Sequence, residues 1–234
     1  QAIDHYLKVK NGSYVFEAKL RIASLFARLD RADEAIDQLK LLAENTTSRP
    51  DRVRTYLAQG EILRDLQHHE AAFDMYSRAL RQNPDNADLL YARALAAEKV
   101  DRIDITESDL LKVLSVEPEN ANALNALGYT LADRTERLQE ALEYIRRAAK
   151  LVPDDPAILD SLGWVSYRLG KMQEALKWLS MAFEKLEDAE IAAHYGEVLW
   201  KMDQQDKARE VWNKGKKVNA EHPVLVETLK RLQP

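Results

Sequence analysis

Residues 122–153 read NALNALGYTLADRTERLQEALEYIRRAAKLVP, and residues 157–187 read AILDSLGWVSYRLGKMQEALKWLSMAFEKLE. The second stretch repeats the first. Aligned on their glycines, Leu124, Leu127, Gly128, Leu131, Ala141, Ile145 and Ala148 fall opposite Leu159, Leu162, Gly163, Ser166, Ala175, Leu179 and Ala182. Self-similarity at a fixed period marks a solenoid, because one unit cannot bury its apolar face alone and must stack on the next. The leucines before each glycine and the large residue four after each alanine have helical spacing and form the buried stripe. Glycine and alanine stand where two helix backbones cross closely, which places Gly128 against Ala141 and Gly163 against Ala175. The fold is therefore predicted to be all-α, and its function should lie on a surface rather than in a pocket.

Composition agrees. The 234 residues are 46% hydrophobic and 31% charged, enough for a sizeable core, while seven glycines and seven prolines are too few for a loop-rich β fold. A formal charge of -5 argues against a nucleic-acid partner, which needs lysine and arginine clustered on one face. Residues 201–234 carry eight Lys/Arg against five Asp/Glu, which a solvated helix face explains more simply than a docking end for an acidic partner. With no cysteine there is neither a disulfide framework nor a thiolate site. No apolar run approaches the ~20 residues of a membrane helix. No phosphate-binding glycine loop, nucleophile elbow or zinc-type histidine-glutamate pair is present, so neither enzymatic activity nor a cofactor or metal is expected. His68 and His69 share an exposed bend without further ligands, and His194 is expected to be a satisfied or exposed residue rather than a ligand or base.

The order leucine, leucine-glycine, alanine, large apolar residue, alanine, proline resembles the tetratricopeptide repeat, a pair of antiparallel helices. That resemblance implies a right-handed superhelical solenoid of such pairs, laid out as a single repeat domain. Residues 1–15 then form the second helix of a truncated repeat, with Ala2 at the crossing place and Tyr6 and Val9 behind it. Six repeats follow at 16–52, 53–86, 87–120, 121–155, 156–188 and 189–222, and residues 223–234 form a capping helix with a stripe of Val226, Leu229 and Leu232. An unpaired half-repeat at the start implies a chain cut from a longer array. The repeat at 87–120 has Ala94 and Thr106 at its crossing and is expected to be the loosest.

In this family the second, fifth, ninth, twelfth and thirteenth places of a repeat face a concave groove. The resemblance puts Tyr91, Asn122, Asn125, Tyr129, Trp164, Tyr167, Arg168 and Trp200 there. Aromatic faces anchor interfaces at low entropy cost, and Asn122 and Asn125 can pair with a partner's backbone, so a protein or peptide is the expected occupant. A cationic clamp for a terminal carboxylate cannot be built, since the fifth and ninth places read Leu57/Glu61, Tyr91/Leu95, Asn125/Tyr129 and Asp160/Trp164.

Over residues 120–222 the phrases GYTLADR (128–134), PDDPAILDSLGWV (153–165) and EIAAHYGEVLW (190–200) go beyond what helix packing requires. They are similar to the C-terminal repeats of a pseudomonad group of outer-membrane tetratricopeptide lipoproteins that are adaptors of a carboxyl-terminal processing protease. Residues 1–119 match only as generic repeats. The resemblance implies a location on the periplasmic side of the outer membrane and a lipid anchor on a part absent from this chain. It also implies a role in bringing cell-wall hydrolase substrates to the protease. A structural assembly factor for an envelope secretion or pilus machine, and a cytoplasmic regulatory scaffold, are the other readings.

Overall fold

The computed structural model describes residues 2–12, 14–29 and 31–232. Among them are fourteen α-helices and no strand. The chain divides into two compact units, Gln1–Val116 and Glu117–Pro234. The first unit holds α1 (Ala2–Tyr6), α2 (Val15–Arg28), α3 (Ala32–Asn45), α4 (Arg49–Asp65), α5 (His69–Gln82), α6 (Ala87–Lys99) and α7 (Ile103–Val116). In the second are α8 (Ala121–Arg134), α9 (Leu138–Leu151), α10 (Pro156–Arg168), α11 (Met172–Lys185), α12 (Ala189–Lys201), α13 (Gln205–Asn219) and α14 (Pro223–Leu232). Consecutive helices pair as α2/α3, α4/α5 and α6/α7, and as α8/α9, α10/α11 and α12/α13, and the pairs stack within each unit.

The two helices of a pair start by different means. Ser48, Asn86, Asn120, Asp155 and Asp188 accept hydrogen bonds from backbone N–H groups in the first turns of α4, α6, α8, α10 and α12, satisfying donors that would otherwise be stranded. The second helices α3, α5, α9, α11 and α13 have no side-chain cap. Their starts are set by the preceding turn. Gln67, Asp101, Gly170 and Asp203 take positive φ, and the next N–H bonds back over five residues, as in His68 to the Leu63 carbonyl at 2.8 Å and Lys171 to Ser166 at 2.9 Å. This left-handed closure satisfies late carbonyls of the first helix and turns the chain back on itself.

The crossing is tighter than glycine against alanine. The alanines Ala72, Ala141, Ala175 and Ala208 are fully buried. What fills the space a glycine Cβ would occupy, however, is the large residue four places on: Tyr76 at Gly60, Ile145 at Gly128, Leu179 at Gly163 and Trp212 at Gly196. At Gly128 an added Cβ would lie 2.5 Å from Ile145 Cγ1 and 2.9 Å from the Ala141 carbonyl oxygen.

Four local expectations change. α1 is five residues long and buries nothing, so Ala2 is no crossing residue. α4 begins at Arg49, inside the segment assigned to the first repeat, because Ser48 caps it and Pro50 sits in its first turn, where a missing N–H costs nothing. α14 buries Leu225 and Thr228 most deeply; Leu229 and Leu232 of the expected stripe pack beside them against the core, while Leu225 takes the place expected of Val226. Leu225 packs near Gly215, where an added Cβ would meet Ala192 Cβ at 2.6 Å. Finally, the α6/α7 crossing is tied by polar contacts: Thr106 Oγ1 donates to the Ala94 carbonyl at 3.2 Å, and Arg93 grips buried Asp109 through Nε at 2.7 Å and Nη2 at 2.8 Å.

Two stability predictions follow from these contacts. Gly128→Ala should cost about 1–3 kcal/mol, because the backbone oxygen on one side cannot move aside; chemical denaturation that matches wild type would refute the contact. Asp109→Ala should cost about 3 kcal/mol by leaving Arg93 without its buried partner, readable as an earlier loss of helix on titration with urea.

Candidate functional site

Within the second unit, α8, α10, α12 and α14 lie side by side. Their facing side chains form a polar network, built where the resemblance placed a groove. The aromatic character expected of that wall is present, but most of its side chains are already engaged.

At its centre Asp160 and His194 are buried together, with Nδ1 of the imidazole 2.9 and 3.1 Å from the two carboxylate oxygens. The indole of Trp164 stacks on the imidazole at 4.2 Å between ring centroids and 21° between planes, and its Nε1 donates to Asp133 at 3.1 Å. Tyr129 approaches the same imidazole at 6.1 Å, and its hydroxyl donates to Glu190 at 2.6 Å. Burial alone would lower the basicity of His194. Asp160, by charge and hydrogen bond, with Glu190 and Asp133 behind it, outweighs that and pushes the pKa up to about 9. Burial raises Asp160, opposed by the imidazolium it faces. The phenol of Tyr129 lies well above its ordinary value, through burial first and the Glu190 carboxylate next.

A second cluster closes the wall toward α14. Glu197, 1% exposed, accepts from the Tyr167 hydroxyl at 2.9 Å and from Arg231 Nη1 at 2.7 Å and Nη2 at 2.5 Å. Tyr167 is pushed up to about 12 by burial and by Glu197, and Arg231 is held above its usual value chiefly by its hydrogen bonds to Glu197.

The expected groove residues therefore divide. Trp164, expected as a free flat face, is 9% exposed and is spent on His194 and Asp133. Arg168 reaches the C-terminal end of α8, donating to the carbonyls of Ala132 at 2.6 Å and Asp133 at 3.1 Å. It is needed there: the α8–α9 turn carries one extra residue, Thr135 is extended, and no five-residue closure takes up those carbonyls. Trp200 is half-buried, tilted against Trp212 at 5.5 Å with the Arg209 guanidinium over its ring at 5.4 Å. Tyr129 and Tyr167 are half-buried and bonded to carboxylates. Asn122 is exposed, and Asn125 is half-buried with a buried Oδ1 that has no partner. Tyr91 belongs to α6 in the other unit, where burial raises its phenol. Glu197, Arg231 and Asp160 were missed as network members. The signal was available: Asp160 and His194, and Glu197 and Arg231, are each 34 residues apart, one repeat period.

The raised basicity of His194 gives a signed prediction. Below pH 6.5 both folded and unfolded histidine are protonated and the stabilisation is present in full; it is lost as pH rises through about 9. Melting temperature should therefore fall across that window in the wild type and stay flatter in His194→Gln. A wild-type profile no steeper than the variant's would mean that the pair is not ionised.

The family profile described as "Tetratricopeptide repeat" matches residues 57–104, 102–156 and 132–190. A TPR repeat-containing protein of Pseudomonas aeruginosa is 43% identical over 198 residues, covering 84% of this chain and 33% of its own length. The chain thus spans about a third of that curated relative. Among solved structures, a tetratricopeptide repeat protein from Parabacteroides merdae superposes with a TM-score of 0.76 at 17% identity, over 97% of this chain and 88% of its own. PilW, a type IV pilus biogenesis factor, does so with a TM-score of 0.71 at 16% identity, over 93% and 100%. At such identities these two speak for the fold alone.

Proposed function

This chain belongs to the tetratricopeptide repeat family, and we propose that it is a non-catalytic scaffold whose α8–α10–α12 wall holds a polypeptide partner. On this reading it serves as an adaptor that delivers envelope substrates, cell-wall hydrolases among them, to a carboxyl-terminal processing protease on the periplasmic side of the outer membrane. One observation carries the proposal. The phrases that resemble the adaptor group beyond the needs of packing, residues 128–134, 153–165 and 190–200, fall on or against the three helices of the wall. They supply Tyr129, Asp133, Asp160, Trp164, Glu190, His194 and Glu197, most of its polar network, which Tyr167 and Arg231 complete. Stacking alone would be served by aliphatic residues. A satisfied polar network instead holds a surface in one shape, and a pre-ordered surface binds with less entropy to lose.

What such a wall leaves for a partner is amide chemistry, in exposed Asn122 and half-buried Asn125, beside the half-buried rings of Tyr167 and Trp200. This suits an extended backbone. The second reading, an assembly factor for a pilus or secretion machine, draws on the fold shared with PilW. Pull-down of envelope proteins separates the two: recovery of a serine protease of the carboxyl-terminal processing type supports the adaptor, and recovery of pilus or secretion components supports the alternative. Asn122→Ala combined with Asn125→Ala should weaken capture about tenfold, the loss of roughly one anchor residue, with the helical melt retained. Trp164→Ala should instead lower the melting temperature, and undiminished capture by the first pair would move the contact off this wall.

A further inference from the structure

The first unit contains a cleft of about 640 Å³ bounded by α3, α4 and α5, away from the residues that face the family's groove. Its charged lining is one-sided: Lys40, Arg52, Arg78 and Arg81 converge there against Glu44 alone, in a chain whose formal charge is -5. Arg78 and Arg81 are exposed and have no carboxylate partner among the described residues. Lys40 has only an exposed contact with Asp37 at 3.3 Å, a pairing of little worth. Arg52 is anchored by Nη2 on the Thr46 carbonyl at 2.7 Å, while its Nε is buried without a partner.

A second, independent observation concerns the cleft's interior. Gln59 is 6% exposed, lines the cleft, and has no hydrogen bond among the described residues. Its amide nitrogen and oxygen are not among the side-chain atoms sealed from solvent, so they open into the cleft and are free to bond a guest. Around it Ala43, Tyr56, Met75 and Ala79 give an apolar floor. The volume falls in the range of about 300–1,000 Å³ usual for ligand clefts.

We infer that this cleft is a binding site for an acidic stretch of polypeptide. Carboxylates of the guest meet the Arg78 and Arg81 guanidiniums, a guest backbone amide satisfies Gln59, and intervening side chains rest on Tyr56 and Met75. Phosphate or nucleic acid fits less well. A polynucleotide wants a cationic stripe that tracks its backbone, and the floor here offers a phosphate nothing. The site is independent of the α8–α10–α12 wall, so either can fail without the other.

The test is fluorescence anisotropy on the whole chain with a short labelled peptide of alternating glutamate and alanine. Binding should weaken with rising salt. It should fall about tenfold in Arg78→Gln with Arg81→Gln, the loss of about two charge-assisted contacts, and stay unchanged in Lys216→Gln with Lys217→Gln of the second unit. Because a variant can alter folding, the wild type gives a separate reading: the side-chain amide resonance of Gln59 should shift on titration with the peptide. The proposal is overturned if the arginine double variant binds like wild type, or if a glutamine-for-glutamate peptide binds equally well. It also fails if inorganic phosphate or a single-stranded oligonucleotide binds as tightly as the peptide, or if Gln59 does not move.

Discussion

The contact on which everything else rests is the one between a glycine in the first helix of a pair and the large side chain that lies against it from the second. Tyr76 at Gly60, Ile145 at Gly128, Leu179 at Gly163 and Trp212 at Gly196 occupy the volume a Cβ would take. That fixes the separation of the two helices and, through it, the step from one pair to the next. Within each unit the consequence is a register of one repeat. Three polar contacts span 34 residues: Arg49 with Asn83, Asp160 with His194, and Glu197 with Arg231. A period set by apolar packing thus reappears in the polar contacts.

Those contacts bear on specificity more than on net stability. A buried carboxylate such as Asp160 or Glu197 is unfavourable until a partner reaches it, and a buried ion pair often does no better in energy than a well-packed hydrophobic pair. Here each partner comes from the neighbouring repeat. A slip of the stack by a residue would strand Asp160 from His194 and Glu197 from Arg231 together. The pairs therefore penalise wrong registers, which a uniform stripe of leucines would tolerate.

Much of the fold was legible because packing repeats itself in letters: the leucine-glycine and alanine places, and the prolines 84 and 118 that follow helices, mark most of the pairs. The turns were less so. Gln67, Asp101 and Asp203 adopt the left-handed conformation that a reader looks for at glycine, and only Gly170 shows it in its identity. The start of α4 was hidden by a Thr-Ser-Arg-Pro run that reads as a breaker but works as a cap followed by a first-turn proline. For the site, place within the repeat put Tyr129, Trp164 and Tyr167 together, and the structure has them on neighbouring helices α8 and α10. Place alone does not say whether a side chain is free or bonded. Trp164 is covered because His194 and Asp133, both outside any aromatic pattern, hold it from two sides. Opposite charges one period apart were the clue.

Once its carboxylates are consumed internally, the wall of the second unit retains little charge with which to choose a guest. Asn122 and Asn125 would pair with backbone, which every polypeptide has, and half-buried rings would add area without strict sequence demand. Charge selection, if the chain exercises any, has to come from side chains that remain uncompensated. In the first unit Arg78 and Arg81 are such side chains, beside an amide that also lacks a partner. Backbone capture on one surface and acidic-residue selection on another would let a scaffold accept many extended partners in the first step and discriminate among them in the second. Neither surface needs a closed pocket for this, which fits a fold whose core is consumed in joining one helix pair to the next.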